Sequence, residues 1–286
     1  MKRPFWLLCS TTLTLALLAA CETSKPTTEV SAAAGGTTAS TASTSAESME
    51  SNGIRLTPFS DSPRFPEAQM QMRTPIANST VPSGEVSFDY LITNFQLTKM
   101  SGGPHMAHMA NSAKGQHIHN IVDNQPYTAH YETKFKKAIP DGQHAVLSFL
   151  SRSYHESLKH RGAYDLRIIN VGSTTPTGAP IIDVKAPNLF YSRPKDTYAG
   201  ADAKRIMLDF YLVNTTLEPG GNRVRATING TEFMLDRWLP YQMEGLPAGE
   251  NTIKLEAREQ QRQPDSRRLQ LGNPHLHGNP VKQRFC

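Results

Sequence analysis

From about residue 54 onward the chain alternates apolar and polar positions, and no stretch keeps a long 3.6-residue period. Phe88, Tyr90 and Ile92 alternate with polar neighbours, as do Phe210 and Leu212. Val224-Arg225-Ala226-Thr227-Ile228 runs into Asn229-Gly230, a pair that accepts the left-handed backbone of a tight hairpin. Asp141-Gly142 opens residues 145–150, and Pro247-Ala248-Gly249-Glu250 opens residues 252–256, both apolar-patterned strands. Short strands at regular spacing, separated by Gly and Pro turns, predict an all-β fold built of sandwiches.

The pattern occurs twice. Phe88-Asp89-Tyr90-Leu91-Ile92-Thr93-Asn94 reappears as Leu208-Asp209-Phe210-Tyr211-Leu212-Val213-Asn214, an offset of 120 residues. Gly115-Gln116-His117-Ile118-His119 matches Gly221-Asn222-Arg223-Val224-Arg225 at an offset of 106, and Ile139-Pro140-Asp141-Gly142 matches Leu246-Pro247-Ala248-Gly249 at 107. The first copy therefore carries 14 extra residues between its first two blocks, which hold His105, Met106, His108 and Met109. Repetition predicts two modules, 54–172 and 181–286, joined by a Thr/Pro/Gly-rich link at 173–180. Asp89/Asp209 and Asn94/Asn214 recur in register and are expected to cap strand ends.

Ahead of the modules, Lys2 and Arg3 precede an apolar run ending in Leu18-Ala19-Ala20-Cys21. A basic start, a short apolar core and small residues before a cut describe a secretory signal over 1–20. With Cys at the cut, the stretch resembles a bacterial lipoprotein signal. That resemblance implies a diacylated Cys21 with an acylated N-terminus, and Glu22 after it implies the outer membrane of the cell envelope. Residues 21–53 are Ser, Thr and Ala with few large apolar side chains, a composition that reads as a disordered tether. About thirty flexible residues span roughly 30 Å, enough to hold the modules off a bilayer. Once Cys9 leaves with the signal and Cys21 is acylated, Cys286 is the remaining thiol, so no disulfide is expected. Thirty Lys and Arg less Lys2 and Arg3 leave 28 basic against 25 acidic residues, too even a balance to imply nucleic acid.

Phe190-Tyr191-Ser192-Arg193-Pro194-Lys195-Asp196, the 208–214 block and the Leu246 turn together resemble a bacterial immunoglobulin-like module. Gly115-Gln116-His117-Ile118-His119 and Phe149-Leu150-Ser151-Arg152-Ser153-Tyr154-His155-Glu156-Ser157 resemble an uncharacterised lipoprotein family. Its members sometimes carry a phosphopeptide-binding label, although no phosphate-binding pattern is visible here. The resemblance implies two tandem immunoglobulin-like β-sandwiches.

Candidate chemistry falls into two groups. His117 and His119, two apart on a strand, share one face, with Ile118 on the other. The inserted loop ends a few residues earlier, so it can bring His105, Met106, His108 and Met109 back toward them. Imidazole suits copper and zinc while thioether selects Cu(I), which puts copper ahead of zinc. The plainer alternative is an exposed polar pair, as at Arg223 and Arg225, with the methionines packed over the module's end. The second group, His155, Glu156 and His160 with His275 and His277, lies in comparable segments of the two copies. Such loops suggest a surface that binds a peptide, a glycan or an envelope protein. No Gly-x-Ser-x-Gly elbow accompanies Ser153, so an enzyme is not expected. Tyr127, Tyr131 and Phe135, like Phe233, Trp238 and Tyr241, are expected to close the cores.

Overall fold

The structure is a computed structural model and describes residues 47–172, 182–195, 197–258 and, as backbone, 281–285. The signal, Cys21, most of the tether, the 173–180 link, His275, His277 and Cys286 lie outside the described residues.

Four sheets form two immunoglobulin-like sandwiches. In the first, β3 (Gln69–Thr74), β5 (Gly84–Thr93) and β8 (Lys134–Ile139) make one sheet in that order. Its partner sheet runs β4 (Thr80–Val81), β10 (Tyr164–Val171), β9 (Gly142–Ser151), β6 (His117–Val122), β7 (Thr128–His130). Inward residues of both, including Val86, Phe88, Ile118, Leu150 and Ile169, form one core. In the second sandwich, β1 (Met49–Ser51), β2 (Ile54–Pro58), β16 (Tyr241–Glu244), β13 (Ile206–Val213) and β11 (Asn188–Arg193) pair in that order. They pack on β12 (Thr197–Tyr198), β18 (Val281–Phe285), β17 (Gly249–Arg258), β14 (Arg223–Ile228) and β15 (Thr231–Leu235). Leu208, Phe210, Val224, Ile228 and Leu255 lie in that core.

Local turn chemistry behaves as the repeat suggests. Asp123 and Asn124 take φ of 52° and 56°, and Asn229 and Gly230 take 48° and 84°, the left-handed pairs of tight hairpins. Asn94 and Asn214 both adopt φ 57° where β5 and β13 end. Their amides donate to the carbonyls of Glu67 (2.9 Å) and Val184 (2.8 Å), so both cap strand ends.

Two boundaries differ from the expectation. The tether stops short of residue 53, because β1 (Met49–Ser51) pairs antiparallel with Ile54, Arg55 and Leu56 of β2 as a hairpin. Ile54–Pro58, expected at the head of the first module, pairs instead with Tyr241–Glu244 of the second sandwich. The physical reason is burial: Ile54 and Leu56 insert into the second core, and chain proximity to the first module exerts no comparable pull. The Asp pair also diverges. Asp89 is half-buried and 3.5 Å from exposed Lys134, whereas Asp209 is fully buried, ion-paired with Lys159 and bonded by the Ser157 N–H. Asp209 thus ties the second sandwich to the first rather than capping a strand.

Strict alternation fails on three strands. Every residue of β6 and β13 is buried, as are residues 144–151 of β9. A second apolar layer explains it: Ile121, Leu147 and Phe149 on the outer face of the first sandwich meet Phe190, Tyr211 and Val213 of the second. Phe149 and Tyr211 stack at 4.5 Å between centroids. The outer face of β6 is therefore an interface between modules, and the site lies there.

A candidate metal centre between the two sandwiches

His117 and His119 project from the outer face of β6, opposite Ile118 in the core, as the two-residue spacing requires. Both are fully buried. A third imidazole joins them from an unexpected place. His155 sits in the turn after β9, closed by hydrogen bonds from His155 N–H to the Arg152 carbonyl (2.9 Å) and from Arg152 N–H to the Glu156 carbonyl (2.8 Å). At φ 69° it holds a left-handed conformation that costs a residue with a Cβ about 1–2 kcal/mol. That turn aims Nδ1 at the β6 pair. His117 Nε2 lies 2.9 Å from His119 Nε2 and 3.0 Å from His155 Nδ1, and the three nitrogens lie within 4.8 Å of one another.

The outer contact of His117 sets its tautomer. His117 Nδ1 lies 2.8 Å from the Gly115 carbonyl, which can only accept, so Nδ1 carries the proton and the Nε2 lone pair faces the cluster. His119 Nδ1 faces Ser192 Oγ at 3.5 Å, a hydroxyl that can donate or accept, while its Nε2 points inward at His117. Gly115 itself is fixed by geometry: at φ 84°, an added Cβ would fall 2.5 Å from the Thr98 carbonyl oxygen. The single inward lone pair of His117 Nε2 can accept one good hydrogen bond, yet two nitrogens crowd it. A cation at this point would relieve that crowding by accepting a lone pair from each ring.

Electrostatics keep the rings in ligand form. Burial pushes His117 down to about 4, and burial holds His119 and His155 well below the ordinary imidazole value. The neighbouring Arg193 guanidinium pushes all three the same way. Neutral imidazole is the form that binds metal. Three further groups wall the site. Tyr127 stacks on His119 at 3.6 Å and 9°, Phe149 packs against His119 at 5.1 Å, and the Tyr131 ring lies 5.1 Å from His117. The buried Arg193 donates from Nη1 to the Tyr127 hydroxyl at 2.8 Å. It reaches that place through a register shift of β11 against β13 between Tyr191 and Arg193.

The expected residues thus divide. His117 and His119 converge, and His155 leaves the expected loop surface to complete a triad that can hold a metal ion. The inserted loop does not join them. His105 Nε2 lies 2.5 Å from Asp61 and its ring packs 4.0 Å from Phe59, while His108 is exposed. Met109 is buried with Tyr154 and Met207, and Met106 packs against them, so the thioethers serve a small apolar cluster. Hydrophobic contact outweighs any pull toward the imidazoles. Glu156 is buried in an ion pair with Arg152 at 3.0 Å and accepts from the Ser62 hydroxyl. His160 Nε2 is buried apart from them, without a hydrogen-bond partner among the described residues. Sequence reasoning missed Arg193 and assigned Tyr127 to core closure. The signal available was Arg193 within the Phe190–Asp196 tract that carries the module resemblance.

No protein-family model matches the chain, and no curated protein matches it. Among solved structures it is similar to the fibronectin(III)-like modules of Clostridium thermocellum CbhA, at 10% identity over 76% of this chain and 93% of that one, TM-score 0.26. It is also similar to a two-domain fibronectin type-III segment of chicken tenascin, at 8% identity over 75% and 96%, TM-score 0.19. A third is the Bacteroides ovatus mixed-linkage glucan protein SGBP-B, at 9% identity over 75% of this chain and 47% of that one, TM-score 0.22. The sandwich assignment rests on the sheets themselves; these likenesses identify no ligand.

Proposed function

We propose that the chain is a non-enzymatic metal-binding protein of the cell envelope, holding one divalent copper or zinc ion at His117, His119 and His155. The observation that carries this reading is the convergence of three buried, neutral imidazoles, with the His117 proton directed outward to the Gly115 carbonyl. Imidazole-only ligation suits copper and zinc alike. With Met106 and Met109 packed elsewhere, the argument for Cu(I) drops away, and the general affinity order places Cu(II) above Zn(II). Leu18-Ala19-Ala20-Cys21 supports an acyl anchor on Cys21 at the outer membrane, with the sandwiches carried beyond it.

The test is calorimetric titration of the mature chain in a C286S background, which removes the thiol. One equivalent of Zn(II) or Cu(II), bound tighter than micromolar and weakened at least tenfold by His119→Ala, is expected. Binding no tighter than micromolar, or binding indifferent to that substitution, overturns the reading.

A further inference from the structure

We infer that Tyr127 is the fourth ligand of this centre, bound as phenolate, and that Arg193 is the residue that positions it; this rests on the metal reading above. The geometry comes first. Four donors about 2.0–2.1 Å from a tetrahedral ion stand roughly 3.3–3.4 Å apart. The Tyr127 hydroxyl oxygen lies 3.3 Å from His155 Nδ1, a long hydrogen bond but the spacing of two ligands sharing one ion. Its ring lies flat on the His119 ring, at 3.6 Å between centroids and 9° between planes.

Charge points the same way. Three neutral imidazoles around a divalent ion leave two positive charges in a buried pocket. Beside that pocket stands Arg193, 7% exposed, with no carboxylate partner among the described residues and Nε without any hydrogen bond. Unbalanced buried charge of this kind is costly, because it has given up its hydration without gaining a counter-charge. An anion between the guanidinium and the metal lowers that cost, and the oxygen already located there belongs to Tyr127, with Arg193 Nη1 donating to it at 2.8 Å. On binding, the O–H bond breaks, a metal–oxygen bond forms and the proton leaves to solvent; no redox change occurs.

The alternative is that Tyr127 only packs against His119 and that water, hydroxide or another anion takes the fourth position. Cu(II) titration of the mature C286S chain, followed by visible absorption and calorimetry, separates the cases. Expected is a phenolate-to-copper charge-transfer band rising to one equivalent in the wild type. Tyr127→Phe, nearly isosteric, loses the band and binds about tenfold more weakly, yet keeps one equivalent of Cu(II). Arg193→Lys keeps the metal but shifts the band. A wild type that binds one Cu(II) without the band overturns the role of Tyr127 and leaves the triad intact. A Tyr127→Phe chain that keeps the band or the full affinity does the same. Absence of binding in the wild type instead sinks the metal reading itself. The wild-type spectrum decides the matter even if a variant fails to fold.

Discussion

Acid should unfold this protein by way of its own candidate ligands. In the fold His117 is neutral down to about pH 4 because burial disfavours the imidazolium, while in the unfolded chain it protonates near its ordinary 6.5. The unfolded state therefore binds more protons between those values. Stability is fully present above pH 6.5 and is lost as pH falls toward 4. At about 1.4 kcal/mol per unit, the whole span removes about 3 kcal/mol, and about 2 kcal/mol is gone by pH 5. His119 and His155, depressed in the same direction, deepen the loss. The raised Glu156 carboxyl works against it, since its protonation favours the folded form. Subtraction isolates the ring. Urea-unfolding curves of the chelator-treated chain at pH 7.5, 6 and 5 are compared with those of His117→Gln. The wild type is expected to lose about 2 kcal/mol more than the variant over that range. Equal losses in both, or a wild type as stable at pH 5 as at 7.5, would refute the burial argument.

Three substitutions probe the supports of the site. Gly115→Ala forces a Cβ into the Thr98 carbonyl at positive φ; it should cost at least about 1–2 kcal/mol in urea unfolding and lower zinc affinity about tenfold by shifting the carbonyl that orients His117. Lys159→Ala strands the buried Asp209 carboxylate; a loss of about 3–5 kcal/mol is expected, most of it restored when Asp209→Asn is added, and a double variant no better than the single one contradicts the pairing. Phe149→Ala removes a fully buried ring held between His119 and Tyr211. It should cost about 3–5 kcal/mol and lower the thermal midpoint together with metal affinity, whereas a stable variant with unchanged affinity would detach the module interface from the site.

Half of the site was legible along the chain, and the reason is periodicity. Two residues apart on a strand means one face, so His117 and His119 had to emerge together whatever else happened. His155 was named only as part of a loop surface, because its approach depends on a left-handed turn and on how β9 pairs with β6, Phe149 opposite His119. Met106, His108 and Met109 looked attractive by composition, but a loop settles where it buries most apolar surface, and Tyr154 and Met207 offered that.

The contrast between copies shows where local information ends. Sequence alone determined the strands, the hairpin turn at 229–230 and the capping asparagines, because each follows from neighbours a few residues apart. Tertiary structure decided which outer faces meet. Arg225 stays partly exposed and pairs with Glu256 at 2.6 Å and Glu232 at 3.0 Å, since the outer face of β14 stays partly open. The aligned His119 lies beneath the second sandwich, with Tyr127 and Phe149 against it. Burial turns a polar pair into neutral, converging ligands, and burial depends on a partner surface nearly a hundred residues away in the chain.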